Sequence, residues 1–265
     1  MNRETGFKIT IAILLIIIII LAVFIIFAIA PKPSFKIRKM PKALKEIKAK
    51  IAVVIDDLGY NSNNLGIMED IKYPVTFSVL PGLSYSETLA GKLHRLGFEI
   101  ILHLPMEPHE KLNLENNTIL TSMDEAKIRK IIDTDLGGIP YVKGVSNHMG
   151  SKATEDSRTM SIIFNELKNR HLYFLDSFVT AKSVGQESAG KMNVEFAKRD
   201  VFLDNNLDAK YIRRQIYQLK IKARQRGEVI AIGHDRRITL EILKEVMPEL
   251  AKEGYQFVFV SELVR

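Results

Sequence analysis

The stretch "IAVVIDDLGY", residues 51–60, decides how the rest of the chain is read. Its first five residues are apolar, mostly β-branched and uncharged, and too few for a helix, so 51–55 reads as a buried strand. The strand runs directly into two adjacent carboxylates, Asp56 and Asp57. Neighbouring carboxylates repel each other and are costly to remove from water. Such a pair calls for a cation, a shared proton or open solvent.

The pattern repeats down the chain. Short apolar runs lie at 51–55, 75–80, 99–102, 143–146, 171–175, 201–203, 228–232 and 256–260, with helix-like stretches between them. Ser84-Tyr-Ser-Glu87 and Ser122-Met-Asp-Glu125 have capping-box spacing. Gly97, Gly137, Gly227 and Gly254 stand where helices should end. Alternating β and α predicts a parallel sheet covered by helices, open or closed into a barrel. In such folds the C-terminal ends of the strands share one face, where sites form. Six runs are followed there by metal-ligand or acid–base residues: Asp56-Asp57, His103, Asn147-His148, Asp176-Ser177, Asp204-Asn205 and Gly233-His234-Asp235. Aspartate and two histidines in one cleft suit zinc, with an open position for water. A second carboxylate, not bound to the metal, can then take the proton of that water. Asp204, in Asp-Asn-Asn, reads as a turn residue. His94 and His171 read as surface residues and His109 as loop.

Residues 9–30, "ITIAILLIIIIILAVFIIFAIA", are 22 in a row without a charge. A bilayer needs roughly 20. The run exceeds the roughly 7–15 residues of a signal-peptide core, and Pro31 would follow the small-residue "AIA". It is expected to be an uncleaved, single-pass transmembrane helix behind a short tail, residues 1–8. Residues 31–50 hold three prolines and eight Lys/Arg against one Glu, and read as a basic tether. Residues 1–50 carry ten Lys/Arg and two Glu, which leaves 28 basic and 29 acidic residues beyond them. The positive charge therefore belongs to the tether. It points to an anionic lipid surface and away from nucleic acid. The absence of cysteine excludes disulfides and thiol chemistry.

Six motifs in order, "VVIDDLG", "PVTFSVLPG", "LGFEIILHLPMEP", "GVSNHMGS", "FLDS" and "GEVIAIGHDRRITLEIL", with a closing "GYQFVFVSEL", carry a resemblance to the divergent polysaccharide deacetylase family. It covers essentially all of residues 51–265. It implies a distorted (β/α) barrel of about seven strands and a metal-dependent hydrolase that removes N-acetyl groups from a polysaccharide or peptidoglycan-like substrate. It implies Asp56 as general base, Asp57, His103 and His148 as metal ligands, and His234 as the general acid that protonates the leaving amine. Where the wider superfamily has a second histidine, four residues after the first, this chain has Glu107, a candidate substitute ligand. No arginine stands at the third motif, and Lys152 is the candidate cation there. Asp176 is expected to orient a ligand or His234. The rival expectations are a glycan-binding or scaffolding protein that kept the fold without the reaction, and a hydrolase acting on another bond. The substrate class places the domain outside the cytoplasmic membrane, whereas the basic flank after the span, read by the positive-inside rule alone, places it inside.

Overall fold

The computed structural model describes residues 47–265. The span at 9–30 and nearly all of the tether lie outside the described residues, and among those described no helix is long and apolar enough to cross a membrane. The chain alternates strand and helix: β1 (Ala49–Leu58), α1 (Leu65–Asp70), β2 (Thr76–Val79), α2 (Ser86–Arg95), β3 (Glu99–Met106), α3 (Glu125–Gly137), β4 (Val142–Met149), α4 (Ser157–Asn169), β5 (Tyr173–Asp176), α5 (Gly185–Met192), β6 (Phe196–Lys198), β7 (Val201–Phe202), α6 (Ala209–Arg226), β8 (Glu228–His234), α7 (Arg237–Lys252) and β9 (Tyr255–Val258). β1 starts two residues earlier than the expected domain boundary at residue 51.

The strands form one sheet in the order β6-β5-β4-β3-β2-β1-β8-β7, with β9 added beside the first residues of β1. Every pairing is parallel. The edge strands β6 and β7 are separated in the chain only by Arg199-Asp200, so the sheet curls until its edges are joined by two residues. It is an incomplete barrel, and it holds nine strands among the described residues where about seven were expected. One of the two additional strands has a local cause. The seam strand is broken into β6, which pairs with β5, and β7, which pairs with β8. β6 escaped the sequence reading because three residues, Phe-Ala-Lys, carry no periodic signal.

Strand alternation sorts side chains to two cores. Ile51, Val53 and Ile55 face the helices, in the large outer core. Ala52 and Val54 face the inside of the curl, with Ile101, Tyr173, Leu175, Ile230 and Ile232. Continuing that period of two along each strand places Asp56, His103, His148 and His234 on the inner face above this small core.

Neither capping box forms as expected. α2 begins at Ser86, whose hydroxyl donates to the Leu80 carbonyl instead. α3 is capped by Asp124, which accepts from the Lys127 amide at 2.8 Å. Gly97, Gly227 and Gly254 take the left-handed backbone expected after a helix, whereas Gly137 is still helical.

Candidate metal and acid–base site

The inner face brings the expected ligands together. Asp57, His103 and His148 each present one ligand atom, and the three atoms lie within 4.8 Å of one another. Asp57 Oδ1 is 3.3 Å from His103 Nε2 and 3.0 Å from His148 Nδ1. His103 Nε2 is also 3.7 Å from Asp56 Oδ2.

Consecutive strand residues point to opposite faces, so both aspartates reaching one site needs a break in the strand. Asp57 has φ 65°, in the left-handed region. Pairing of β1 with β2 slips by one residue between Ile55 and Leu58, which marks a bulge. Met149 and Phe178, at the ends of β4 and β5, are left-handed as well, at φ 53° and 50°. Each such non-glycine residue costs about 1–3 kcal/mol, and strain of this kind concentrates where function requires it.

Polar partners behind the site aim the side chains. Ser146 Oγ shares a hydrogen bond with His103 Nδ1 at 2.8 Å and another with Ser78 Oγ at 2.7 Å. This leaves His103 Nε2 turned toward the aspartates, the arrangement seen when a second shell fixes a histidine ligand. Asn147 stitches β4 to the end of β5: its Oδ1 accepts from the Ser177 amide at 2.8 Å, and its carbonyl accepts from the Ser177 hydroxyl at 2.9 Å. His148, the next residue, is held by that stitch.

Asp56 Oδ1, Asp57 Oδ1 and His148 Nε2 are buried with no hydrogen-bond partner among the described residues. Unsatisfied buried polar atoms are rare in native proteins. Three of them, on two carboxylates and one imidazole at the Asp57, His103 and His148 group, fit a divalent cation, and the donor set suits zinc.

The two aspartates are driven apart in acidity. Burial, then repulsion from Asp57, pushes Asp56 above the usual carboxylate range, although His103 and His234 pull it back in part. Burial acts on Asp57 too, but the imidazoles of His103 and His148 close to its Oδ1 hold it far below that range. His234 behaves oppositely. Burial would lower it, yet Asp204, followed by Asp57 and Asp56, raises it to about 9. At neutral pH it is an imidazolium.

Asp204 differs from its expected place in a turn. Its Oδ2 accepts from the His234 amide at 2.8 Å and the Thr239 hydroxyl at 2.7 Å, and its Oδ1 accepts from His234 Nδ1 at 2.8 Å. It is a buried partner of His234 rather than a turn residue. Asp176 does not orient His234 or a metal ligand. It accepts from Ser183 Oγ at 2.6 Å and the Phe178 amide at 2.7 Å, and so shapes the loop after β5.

Glu107 stands apart from the ligand group. Its carboxylate accepts from Thr121 and from Lys152 Nζ at 2.7 Å. Glu107 thus brackets a loop, and Lys152 is committed to it rather than to Asp56. Arg199, between β6 and β7, interacts electrostatically with Asp176 and Asp200 and least with Asp56. Arg199 donates to the carbonyls of Ser177 at 2.7 Å and Phe178 at 2.8 Å, and lies 3.7 Å from the centre of the Phe202 ring, which stacks on His234.

Known proteins agree with this architecture. The family described as divergent polysaccharide deacetylase matches residues 53–264. The uncharacterized protein YibQ of Escherichia coli K12 is 35% identical over 204 residues, 77% of this chain and 64% of that protein, so the chain spans slightly under two thirds of that relative's length. The crystal structure of an uncharacterized protein from Agrobacterium tumefaciens C58 superposes with a TM-score of 0.80 at 22% identity, covering 88% of this chain and 95% of that one. The crystal structure of a peptidoglycan N-acetylglucosamine deacetylase in complex with a hydroxybenzamide-type ligand gives 0.51 at 13% identity, covering 80% and 86%. These two likenesses are of fold.

Proposed function

This chain belongs to the divergent polysaccharide deacetylase family, and from that premise we propose that it is a metal-dependent hydrolase that removes N-acetyl groups from a cell-envelope glycan. The observation that carries the reading is one inner face holding the Asp57, His103 and His148 group beside a carboxylate pushed up in pKa, Asp56, and an imidazolium, His234. Groups whose environments push their protonation apart are the mark of an acid–base pair.

Asp57, His103 and His148 would hold the metal, and a divalent cation such as zinc there would acidify water and polarise the acetamide carbonyl. Asp56 accepts the proton of the water that attacks the carbonyl carbon. His234 delivers its proton to the amine nitrogen as the C–N bond breaks, leaving acetate and a free amino sugar. Asp204, itself ionised, holds the Nδ1–H, so the ring regains the delivered proton from water as an imidazolium and stays aimed inward.

The scaffold alternative drew its support from a missing histidine and a missing arginine. His148, which lies with Asp57 and His103, supports the hydrolase reading over that alternative. The apolar span at 9–30 and the basic tether at 31–50 would hold the domain on the outer side of the cytoplasmic membrane, against anionic lipid. A reporter fused to the C-terminus checks this side, and activity in the cytoplasm alone would reverse it.

The test combines metal content with acetate release. The full chain should bind about one equivalent of metal. Asp57→Ala, His103→Ala and His148→Ala should lose it, and Glu107→Ala should keep it. Asp56→Asn should retain metal but lose about 10²–10⁴-fold in turnover on acetylated glycans. Undiminished turnover in Asp56→Asn, or no acetate from any acetylated glycan with the metal-loaded chain, would sink the proposal.

A further inference from the structure

The seam that closes the curl also surrounds the general acid. Phe202, in β7, pairs in parallel register with Ile232 of β8, two residues before His234. It packs against the small inner core, on the same face as His234. Its ring is stacked on the imidazole, with centroids 5.8 Å apart and planes 15° from parallel. Arg199 packs on Phe202 in turn, its guanidinium carbon 3.7 Å from the ring centre. That guanidinium is itself fixed. Its Nε donates to the Ser177 carbonyl at 2.7 Å and its Nη2 to the Phe178 carbonyl at 2.8 Å. Ser177 is stitched to Asn147, the neighbour of His148. One chain of contacts therefore runs from His148 through Asn147, Ser177, Arg199 and Phe202 to His234.

The contacts on His234 are of two kinds, and each fixes something different. Asp204 holds Nδ1 at 2.8 Å. A hydrogen bond tolerates a broad range of angles at the acceptor, so it anchors one atom of the ring and leaves its tilt loosely set. A flat neighbour in near-parallel contact sets the plane. The distinction matters because the proton to be delivered sits on Nε2, across the ring from Nδ1. A tilt about the anchored atom swings Nε2 away from the leaving nitrogen, and small misplacements of a reacting group are costly in rate. Arginine suits the outer position in the stack. Its planar fork can donate to two carbonyls and still lay a face on an aromatic ring, whereas a lysine ammonium can do only one of these in a fixed geometry.

We propose that Phe202 and Arg199 are positioning residues for the general acid. Phe202 fixes the plane of the His234 ring, and Arg199 fixes Phe202 against the stitch between β4 and β5, so that the proton donor is held in register with the Asp57, His103 and His148 group. The inference rests on the hydrolase reading of the site and deepens it, because it gives the broken seam strand the task of aligning the acid.

The test compares Phe202→Leu, Phe202→Tyr and Arg199→Lys in the metal-loaded full chain, with acetate release from an N-acetylglucosamine pentamer as the assay. Phe202→Leu keeps apolar bulk but removes the flat face. Its kcat should fall about ten- to hundredfold while KM stays within about twofold. Its metal content should match wild type. Phe202→Tyr keeps the ring and should stay within about threefold of wild-type kcat. Arg199→Lys keeps the charge but loses the fork, and should lower kcat about three- to tenfold. The second readout is the His234 Cε1–H resonance at neutral pH, which senses the ring current of its stacked neighbour. It should shift in Phe202→Leu and hold its wild-type position in Phe202→Tyr. A loss of turnover in Phe202→Leu that Phe202→Tyr fails to rescue would overturn the inference. So would a loss of bound metal in Phe202→Leu, because the damage would then lie in the ligand group. The expected resonance pattern in a chain that releases no acetate would uphold the placement of the ring by Phe202 and defeat the hydrolase reading. Wild-type acetate release in Phe202→Leu would do the reverse.

Discussion

Replacing Asp204 with Asn asks directly whether one buried carboxylate sets the protonation of His234. The imidazole is raised from 6.5 to about 9, against the pull of burial. That shift of about 2.5 units corresponds to about 3.4 kcal/mol, and the opposing effect of burial makes the gross attraction larger. Asp204 supplies the leading share through its 2.8 Å contact with Nδ1, and Asp57 and Asp56 add smaller ones. Asn keeps the shape but removes the charge, so His234 should fall to about 7 or below. At pH 7.5 its protonated fraction would drop from about 97% to about a quarter. The assay is an NMR titration of the histidine Cε1–H signals in chelator-treated chain, with His234→Gln assigning the resonance. The basic limb of the activity profile should move down by about two pH units with it. Stability gives a second readout. Because the folded pKa exceeds the unfolded value, the contribution is complete below pH 6.5 and lost as pH rises through about 9. Wild-type unfolding free energy should therefore fall by up to about 3 kcal/mol across that window, and Asp204→Asn should lack the slope. If His234 in the variant titrates within about half a unit of wild type, the aspartates of the ligand group hold its proton, and the assignment to Asp204 is wrong.

Two further predictions concern the scaffold. Burial raises Asp135 to about 6 despite a 3.0 Å hydrogen bond from Asn117, and its Oδ2 has no partner among the described residues. The native state therefore favours the protonated acid, and stability is lost as pH rises from 3.8 through about 6, by up to about 3 kcal/mol at pH 8. Asp135→Asn should raise the urea midpoint at pH 8 and converge on wild type near pH 4; a pH-independent difference would refute the titration. Gly144 is packed so closely that an added Cβ would lie 2.5 Å from the ring of Tyr173, which is itself buried and hydrogen-bonded to Glu99. Gly144→Ala should cost about 1–3 kcal/mol in thermal or chemical unfolding, and an unchanged midpoint would mean that Tyr173 is free to move.

The parallel α/β order was legible because each strand is a short apolar run and each helix a longer periodic one. The ligand residues were legible because strand ends converge in such folds, whatever their separation in sequence. Asp204 was not, because Asp-Asn-Asn has the composition of an ordinary turn. Its role comes from the pairing of the β7 segment with β8, where the Leu203 amide donates to the Ile232 carbonyl at 2.8 Å and sets Asp204 beside His234. Arg199 was missed for a related reason. It lies in the break between two very short strands, and only the closing of the curl sets it against the loop after β5 and the Phe202 ring. Glu107 and Lys152 misled in the opposite direction: each stands at the right place along the chain, but they neutralise each other across a loop base.

The adjacent aspartates show where a linear reading stops. In a regular strand Asp57 would follow Val53 and Ile55 to the helix-facing side, where an unpaired carboxylate would be buried among apolar side chains, at a cost of several kcal/mol. The left-handed turn at Asp57, at about 1–3 kcal/mol, is the cheaper alternative, and it places the second carboxylate beside the first. Gly59, at φ 131°, completes the turn. A Cβ there would lie 2.6 Å from Ser86 Oγ, so the backbone has no room for another residue at that position. One bulge thus gives two chemically identical neighbours opposite acidities. Asp57, drawn down by two histidines, stays ionised, while Asp56, deeper and more fully desolvated, is left able to take up a proton.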